Sequence, residues 1–171
     1  SVTILNNDGT SPTLFVGGNT TVTSGSTLTN TNGILQTTGN ISNSGTLTST
    51  GTEKFSGSGN QTLSGTLSGT SYLYSVSKQN TGNLVLATNL DVNTLTFATD
   101  GTIDASSGKT LFVNNTAYNS ISGFTTSRYV DVGTTGSLKL KTSDITSGHY
   151  YAFPIGNSTA GYKRMDVNLS S

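Results

Sequence analysis

Aliphatic residues in the first third of this chain recur at a step of six, and that step rules out most folds. Val16, Val22, Leu28 and Ile34 fall six apart. After a shift of one residue, Leu35, Ile41 and Leu47 resume the step, and Gly33, Gly39, Gly45 and Gly51 keep it too. A longer repeat overlies it: Thr27-Leu28-Thr29-Asn30-Thr31 matches Thr46-Leu47-Thr48-Ser49-Thr50 nineteen positions on, and Thr66-Leu67-Ser68 follows after twenty more. A helical stripe needs apolar residues at intervals of three and four and tolerates few interior Gly or β-branched residues, so helix is excluded. Strands of a sandwich sustain their alternation and recur every roughly 8–12 residues, a spacing that this bend at every sixth residue does not fit. Both steps fit a coil of three short strands per turn with corners at Gly or Asn. Leu28 then points inward, Thr27 and Thr29 flank it outward, and the chain bends. The expected fold is all-β, a short parallel β-solenoid.

The composition follows from that geometry. Of 171 residues, 31% are hydrophobic and only 9% charged, with a net charge of zero. Each turn would bury three or four aliphatic side chains at about 1.5–3 kcal/mol apiece, too little to offset the ordering of one turn alone. Stacking at about 4.8 Å must supply the rest. A charge repeated in register would face its like on the next strand, which accounts for the scarcity of charge. Disordered chains, by contrast, carry high net charge and few β-branched residues. No basic excess exists to neutralise phosphate, which argues against nucleic acid and anionic membrane surfaces as partners. The longest apolar runs, two to four residues, are too short to insert across a bilayer. Cysteine is absent, so stability is expected from repetition in place of disulfides, a pattern common in secreted bacterial surface proteins. The opening Ser1-Val2-Thr3-Ile4-Leu5 has no initiator Met or basic segment, and Met165-Asp166-Val167-Asn168-Leu169 stops inside a strand pattern. The expectation is a processed or excised piece of a longer chain.

The pattern loosens but persists to Lys109-Thr110-Leu111-Phe112-Val113, with Leu84 to Ile103 and Val92 to Leu111 again nineteen apart. Residues 13–113, taken as about five turns, predict a rod of roughly 25 Å. Beyond Asn114 stand five of the eight basic residues and the single His and Met. Alternation lengthens there, in Arg128-Tyr129-Val130-Asp131-Val132, Ser137-Leu138-Lys139-Leu140-Lys141 and Tyr151-Ala152-Phe153-Pro154-Ile155. The expected division is a solenoid over 1–114 and an antiparallel β region over 115–171, serving as a cap or as the start of a sandwich.

Several later segments carry a family resemblance. YLYSVSK (72–78), LATNLDVNTLTF (86–97), GTIDASSGKTLFVNN (101–115), RYVDVG (128–133), YAFPIGN (151–157) and YKRMDVNL (162–169) resemble the strand-repeat segments of very large secreted surface proteins of Bacteroidota. Those proteins are exported by the type IX secretion route and include gliding-motility adhesins and cell-surface filament proteins. Residues 13–71 are similar to more general filamentous-haemagglutinin-like coils. The resemblance implies an extracellular position on the bacterial surface, a structural or adhesive role and membership of a longer polypeptide. It supplies no catalytic residues.

Candidate chemistry is sparse. His149 is the sole His, no G-x-S-x-G elbow occurs, and beside Tyr150 and Tyr151 it reads as a strand-edge or turn residue. Solenoid lyases and hydrolases need clustered acids with Arg or Lys, whereas the acids here stand at 8, 53, 91, 100, 104, 131, 144 and 166. Asp100 and Asp104 could offer carboxylates to Ca²⁺, but no EF-hand or Gly-Gly-x-Gly-x-Asp array accompanies them, and a turn with Asp at its corner is the simpler reading. No catalytic set, metal site or cofactor is expected.

Two surface features remain. Thr27/Thr29, Thr46/Thr48 and Thr66/Ser68 would stack on one outward face as a flat array of the kind that binds ice. Tyr150 and Tyr151, and the Tyr72/Tyr74 pair, could meet sugars or a partner chain. The function expected is a structural or adhesive repeat module of a secreted cell-surface adhesin or filament, without catalysis. A carbohydrate- or ice-binding module is the alternative, and an accessory domain of a polysaccharide-active enzyme comes third. The partners expected are neighbouring modules of the same chain, other copies joined at exposed ends, and surface glycans.

Overall fold

The structure, a computed structural model, describes residues 2–5, 11–142 and 149–168. Asp8, Asp144 and Leu169, named above, lie outside them. Among the described residues there is no helix. The strands are β1 (Val2–Leu5), β2 (Thr13–Val16), β3 (Thr20–Val22), β4 (Thr27–Thr31), β5 (Ile34–Thr37), β6 (Ile41–Asn43), β7 (Thr46–Ser49), β8 (Thr52–Phe55), β9 (Gln61–Gly65) and β10 (Leu73–Lys78). They continue as β11 (Leu84–Leu86), β12 (Leu90–Phe97), β13 (Ile103–Asp104), β14 (Thr110–Val113), β15 (Ile121–Ser122), β16 (Val130–Asp131), β17 (Ser137–Leu140), β18 (Tyr150–Asn157) and β19 (Gly161–Asn168).

The strands wind round one axis as a parallel β-solenoid with three faces. The first face stacks β1, β4 and β7; the second begins with β2, β5 and β8; the third runs β3, β6, β9, β11, β13, β16 and β18. From the fourth turn upward, β10 and β12 each cross a corner. The Leu90–Val92 part of β12 pairs with β14, which pairs with β17, while Leu95 and Thr96 pair with β15. The third face therefore counts seven turns of about 4.8 Å, a rod of roughly 30 Å.

The register matches part of the sequence reading. Leu28 lies beside Leu47 and Leu84 beside Ile103, both nineteen residues apart. Val92, however, pairs with Val113, and Leu111 pairs with Leu90. Thr66-Leu67-Ser68 does not continue the β7 stack: Leu67 bridges Leu90, and the residue that receives the Leu47 N–H is Ser71, through its hydroxyl. The turn lengthens here, Thr52 pairing with Ser75, and it is bent by Gly65 and Gly69 at positive φ. The parallel winding also passes the expected boundary at 114, because β14 pairs with β17, β13 with β16 and β16 with β18, all parallel. Among the described residues, antiparallel pairing is confined to the terminal hairpin of β18 and β19 and one isolated bridge between Thr125 and Arg128.

The six-residue step has a chemical cause at the corners. In the lower turns β5, β6 and β7 each end in an inward polar residue that caps the N–H of a glycine just beyond it. Asn43 Oδ1 accepts from Gly45 N (3.1 Å), Ser49 Oγ from Gly51 N (3.2 Å) and Thr37 Oγ1 from Gly39 N (3.3 Å). At the corner after β4 the spacing is one residue longer, with Asn30 Oδ1 accepting from Gly33 N at 3.1 Å and Asn32 taking a φ of 56°. That extra residue is the shift of phase between Ile34 and Leu35. Glycine is required because stacked corners touch: a Cβ on Gly51 would lie 2.3 Å from Gly33 O, and one on Gly45 2.4 Å from Ser26 O. Along an outer edge, asparagine side chains tie turn to turn, Asn19 Oδ1 accepting from Asn40 N (2.9 Å) and Asn40 Oδ1 from Thr62 N (2.8 Å).

Inward positions form columns through the core. Gln61, Leu84, Ile103 and Val130 stack in register on the third face, and Thr37, Phe55, Lys78 and Phe97 on the second, all buried. At about 1.5–3 kcal/mol per fully buried aliphatic or aromatic side chain, each column repays only part of the ordering of its turns, and the interturn hydrogen bonds complete the fold. The first turn leaves its end open, with Val2 and Leu14 exposed around a recess of about 330 Å³ that reaches Leu28 and Leu35.

Candidate functional site

The residues singled out from sequence fall in three places. Thr27 pairs with Thr46 and Thr29 with Thr48, and Thr3 adds a third row beside Thr29, so a flat outward threonine patch does exist on the first face. Thr66 and Ser68 do not join it, since the longer corner carries them elsewhere. At the far end, Tyr150 is exposed but Tyr151, its neighbour on the strand, faces inward, is buried and donates its hydroxyl to Thr116 O at 2.9 Å. Of that pair, only Tyr150 is placed to meet a partner. His149 stacks on Tyr118 with ring centroids 4.3 Å apart.

Asp100 and Asp104 do not converge. Asp100 accepts from Arg128 Nε at 2.8 Å and from Ser127 Oγ at 3.0 Å, and the Arg128 bond is the main reason its carboxyl stays below the usual range. Asp104 turns the other way to cap Ser106 N at 2.9 Å. Among the described residues no three His, Cys, Asp or Glu side chains gather to hold a metal ion.

Two ionisable side chains, Glu53 and Lys78, lie in the core. Glu53 stands in register between Leu35 and Val76. Its Oε1 accepts from Asn30 Nδ2 at 2.9 Å and from Ser49 Oγ at 2.5 Å, while Oε2 has no well-formed hydrogen bond. Burial pushes its carboxyl up to about 7, against the pull of Ser49 and Asn30. Lys78 lies between Phe55 and Phe97 and donates to Asn80 O (2.9 Å) and Asp100 O (2.8 Å). Burial lowers its ammonium to about 8, with Asp100 acting in the opposite sense. Both are enclosed by the coil and meet no open cleft, so they act on stability.

Sequence reasoning missed one surface feature entirely. On the outside of β12, β14 and β17, Asp91, Phe112 and Lys139 sit in register on successive turns. Their strand neighbours Leu90, Val92, Leu111 and Val113 are buried inward, so the three side chains project from the outer surface. Asp91 Oδ2 accepts from Gly69 N at 2.8 Å, which docks the 66–72 corner against the strands. Two recesses meet at that bond. One, of about 460 Å³, has Phe112 and Lys139 in its wall, and the other, of about 150 Å³, lies among Tyr72, Tyr74, Asn93 and Asn114. The signal existed in the sequence as a Phe at an outward position of its strand, but only the register brings the three residues together. Compared with protein families, curated proteins and solved structures, the chain matches none of them.

Proposed function

We propose that this chain is a structural and adhesive repeat module of a secreted bacterial cell-surface adhesin or filament. It would act as a stiff polar rod that carries binding surfaces away from the cell. The observation that supports this most is the unbroken parallel ladder. On the third face the seven strands from β3 to β18 are each hydrogen-bonded to the next without a break, so bending the rod away from that face must open its bonds. Asp104 and Asp131 sit in register on successive turns but each caps its own corner, at Ser106 N and Gly133 N, and Asp100 is held by Arg128, an arrangement that favours a role without catalysis. The family resemblance would place the parent chain among Bacteroidota proteins exported by the type IX route, in gliding or attachment. Its partners would be neighbouring modules, further copies and surface glycans.

Placement is tested by antibody labelling of intact cells that make the chain. Signal on unpermeabilised cells supports the reading, and signal only after lysis contradicts it. Adhesion is tested with beads coated with the chain. They should attach to cell surfaces more than beads carrying Leu47→Asp, a variant that buries a charge in the core; equal attachment removes the adhesive part.

A further inference from the structure

We propose that the outer groove of Asp91, Phe112 and Lys139 binds a glycan, with a sugar ring over Phe112 and its hydroxyls held by the flanking acid and amine. This rests on the adhesive reading above and gives it a ligand class and a place. The Phe112 ring is half-buried on the outer sheet face and offers an apolar floor there, and the apolar face of a hexose covers such a floor while its rim hydroxyls remain free to hydrogen-bond. The rim is supplied here. Asp91 lies one turn below Phe112 and Lys139 one turn above, each about 4.8 Å along the axis. The Gly69 N–H engages only Oδ2 of Asp91 and fixes the carboxylate's orientation, which leaves Oδ1 to accept from sugar hydroxyls. Beyond the same bond, Tyr72, Tyr74 and Asn93 line the second recess, so the surface extends over more than one turn and fits a short oligosaccharide better than a single sugar.

The alternatives fit less well. A peptide adding as a strand would pair along the outer edge of β17 and leave the Phe112 ring uncovered, because β12 and β14 are paired on both sides over this stretch. A nucleic acid would bring phosphates to Asp91 on a chain of zero net charge. An amphipathic helix needs a long apolar trough, whereas here Phe112, Tyr72 and Tyr74 are interrupted by Asn, Thr, Asp and Lys.

The test is a glycan array probed with the whole chain, followed by titration of any bound oligosaccharide into ¹⁵N-labelled protein. Binding is expected, with amide shifts at Gly69, Asp91 and Asn93. Phe112→Ala should weaken it at least tenfold and Asp91→Asn several-fold, while Thr48→Val on the threonine face leaves it unchanged. If Phe112→Ala melts the fold, Lys139→Met serves as the second probe and should also weaken binding. A glycan bound equally by the wild type and all the groove variants overturns the groove but leaves the adhesive reading standing. No binding on the array while coated beads still attach to cells also overturns the groove alone. Failure of both array and beads overturns both.

Discussion

The lower turns, from about residue 11 to 52, and the upper turns, from about 73 to 140, use the same winding with different interiors. Below, every face contributes one aliphatic and one polar inward residue, as in Leu28 with Asn30, Ile41 with Asn43 and Leu47 with Ser49. Above, both inward positions are often apolar, as in Leu84 with Leu86, Leu90 with Val92 and Leu111 with Val113. The lower section carries no charge between residues 11 and 52 and is held by tight, capped corners. The upper section is held by its core and tolerates longer turns, up to the twenty-seven residues separating Ile103 from its register partner Val130. A solenoid can therefore be stabilised at its corners or along its axis, and this chain does each in turn.

The largest expected effects test that division on one column. Phe97→Ala in the upper turns should cost about 3–5 kcal/mol through a core cavity, measured by chemical denaturation. Thr37→Ala in the same column should cost only about 1 kcal/mol, the worth of its bonds to Gly39 N and Gly18 O. Equal losses would erase the distinction.

Next come the two buried ionisable groups, Glu53 just above the lower section and Lys78 at the start of the upper one. The folded Glu53 carboxyl titrates near 7, above its ordinary 4.5, so the native state holds the proton more tightly than the unfolded chain. Its contribution is fully present below about pH 4.5 and is lost as pH rises through 7, a fall of about 3 kcal/mol. Lys78 has the opposite sense. Folded near 8 against 10.5 unfolded, it weakens the fold while charged, and that penalty is relieved as pH rises from 8 to 10.5. Denaturation against pH should therefore show a minimum near pH 7–8. Glu53→Gln should flatten the acid limb and Lys78→Met the alkaline one. A maximum at neutral pH would contradict both placements.

Smaller effects distinguish close-packed corners from open ones. Gly51→Ala places a methyl 2.3 Å from Gly33 O and should cost about 1–3 kcal/mol, whereas Gly59→Ala, with nothing within 4 Å, should be nearly neutral in the same melts. Smallest of all, Asn40→Ala should cost about 1 kcal/mol by releasing Thr62 N from the edge ladder.

How much of this was legible varies along the chain for the same physical reason. Where corners are short, glycine contact fixes their position, so the sixfold step and the Leu28–Leu47 stack could be read directly, and even the phase slip at Ile34 marked the Asn32 corner. The inward Asn30, Thr37, Asn43 and Ser49 could not be read, since a polar side chain capping a corner N–H from inside has the same composition as one facing water. Glu53 and Lys78 were hidden likewise. In the upper turns the period drifts with corner length, and the parallel strands β16, β17 and β18 therefore resembled a separate antiparallel region. The threonine rows were legible for two turns because they share the regular register. Asp91, Phe112 and Lys139 stand twenty-one and twenty-seven residues apart and meet only once the longer turns are counted.

The central claim is that one parallel coil runs from the first turn to β18. Backbone nuclear Overhauser contacts in the isotope-labelled chain test it most directly. The account predicts interstrand contacts between Leu28 and Leu47, Leu84 and Ile103, and Ile103 and Val130, with antiparallel strand patterns confined to β18 and β19. Hairpin-type contacts between consecutive strands within residues 13–113, with those three pairs silent, would contradict it.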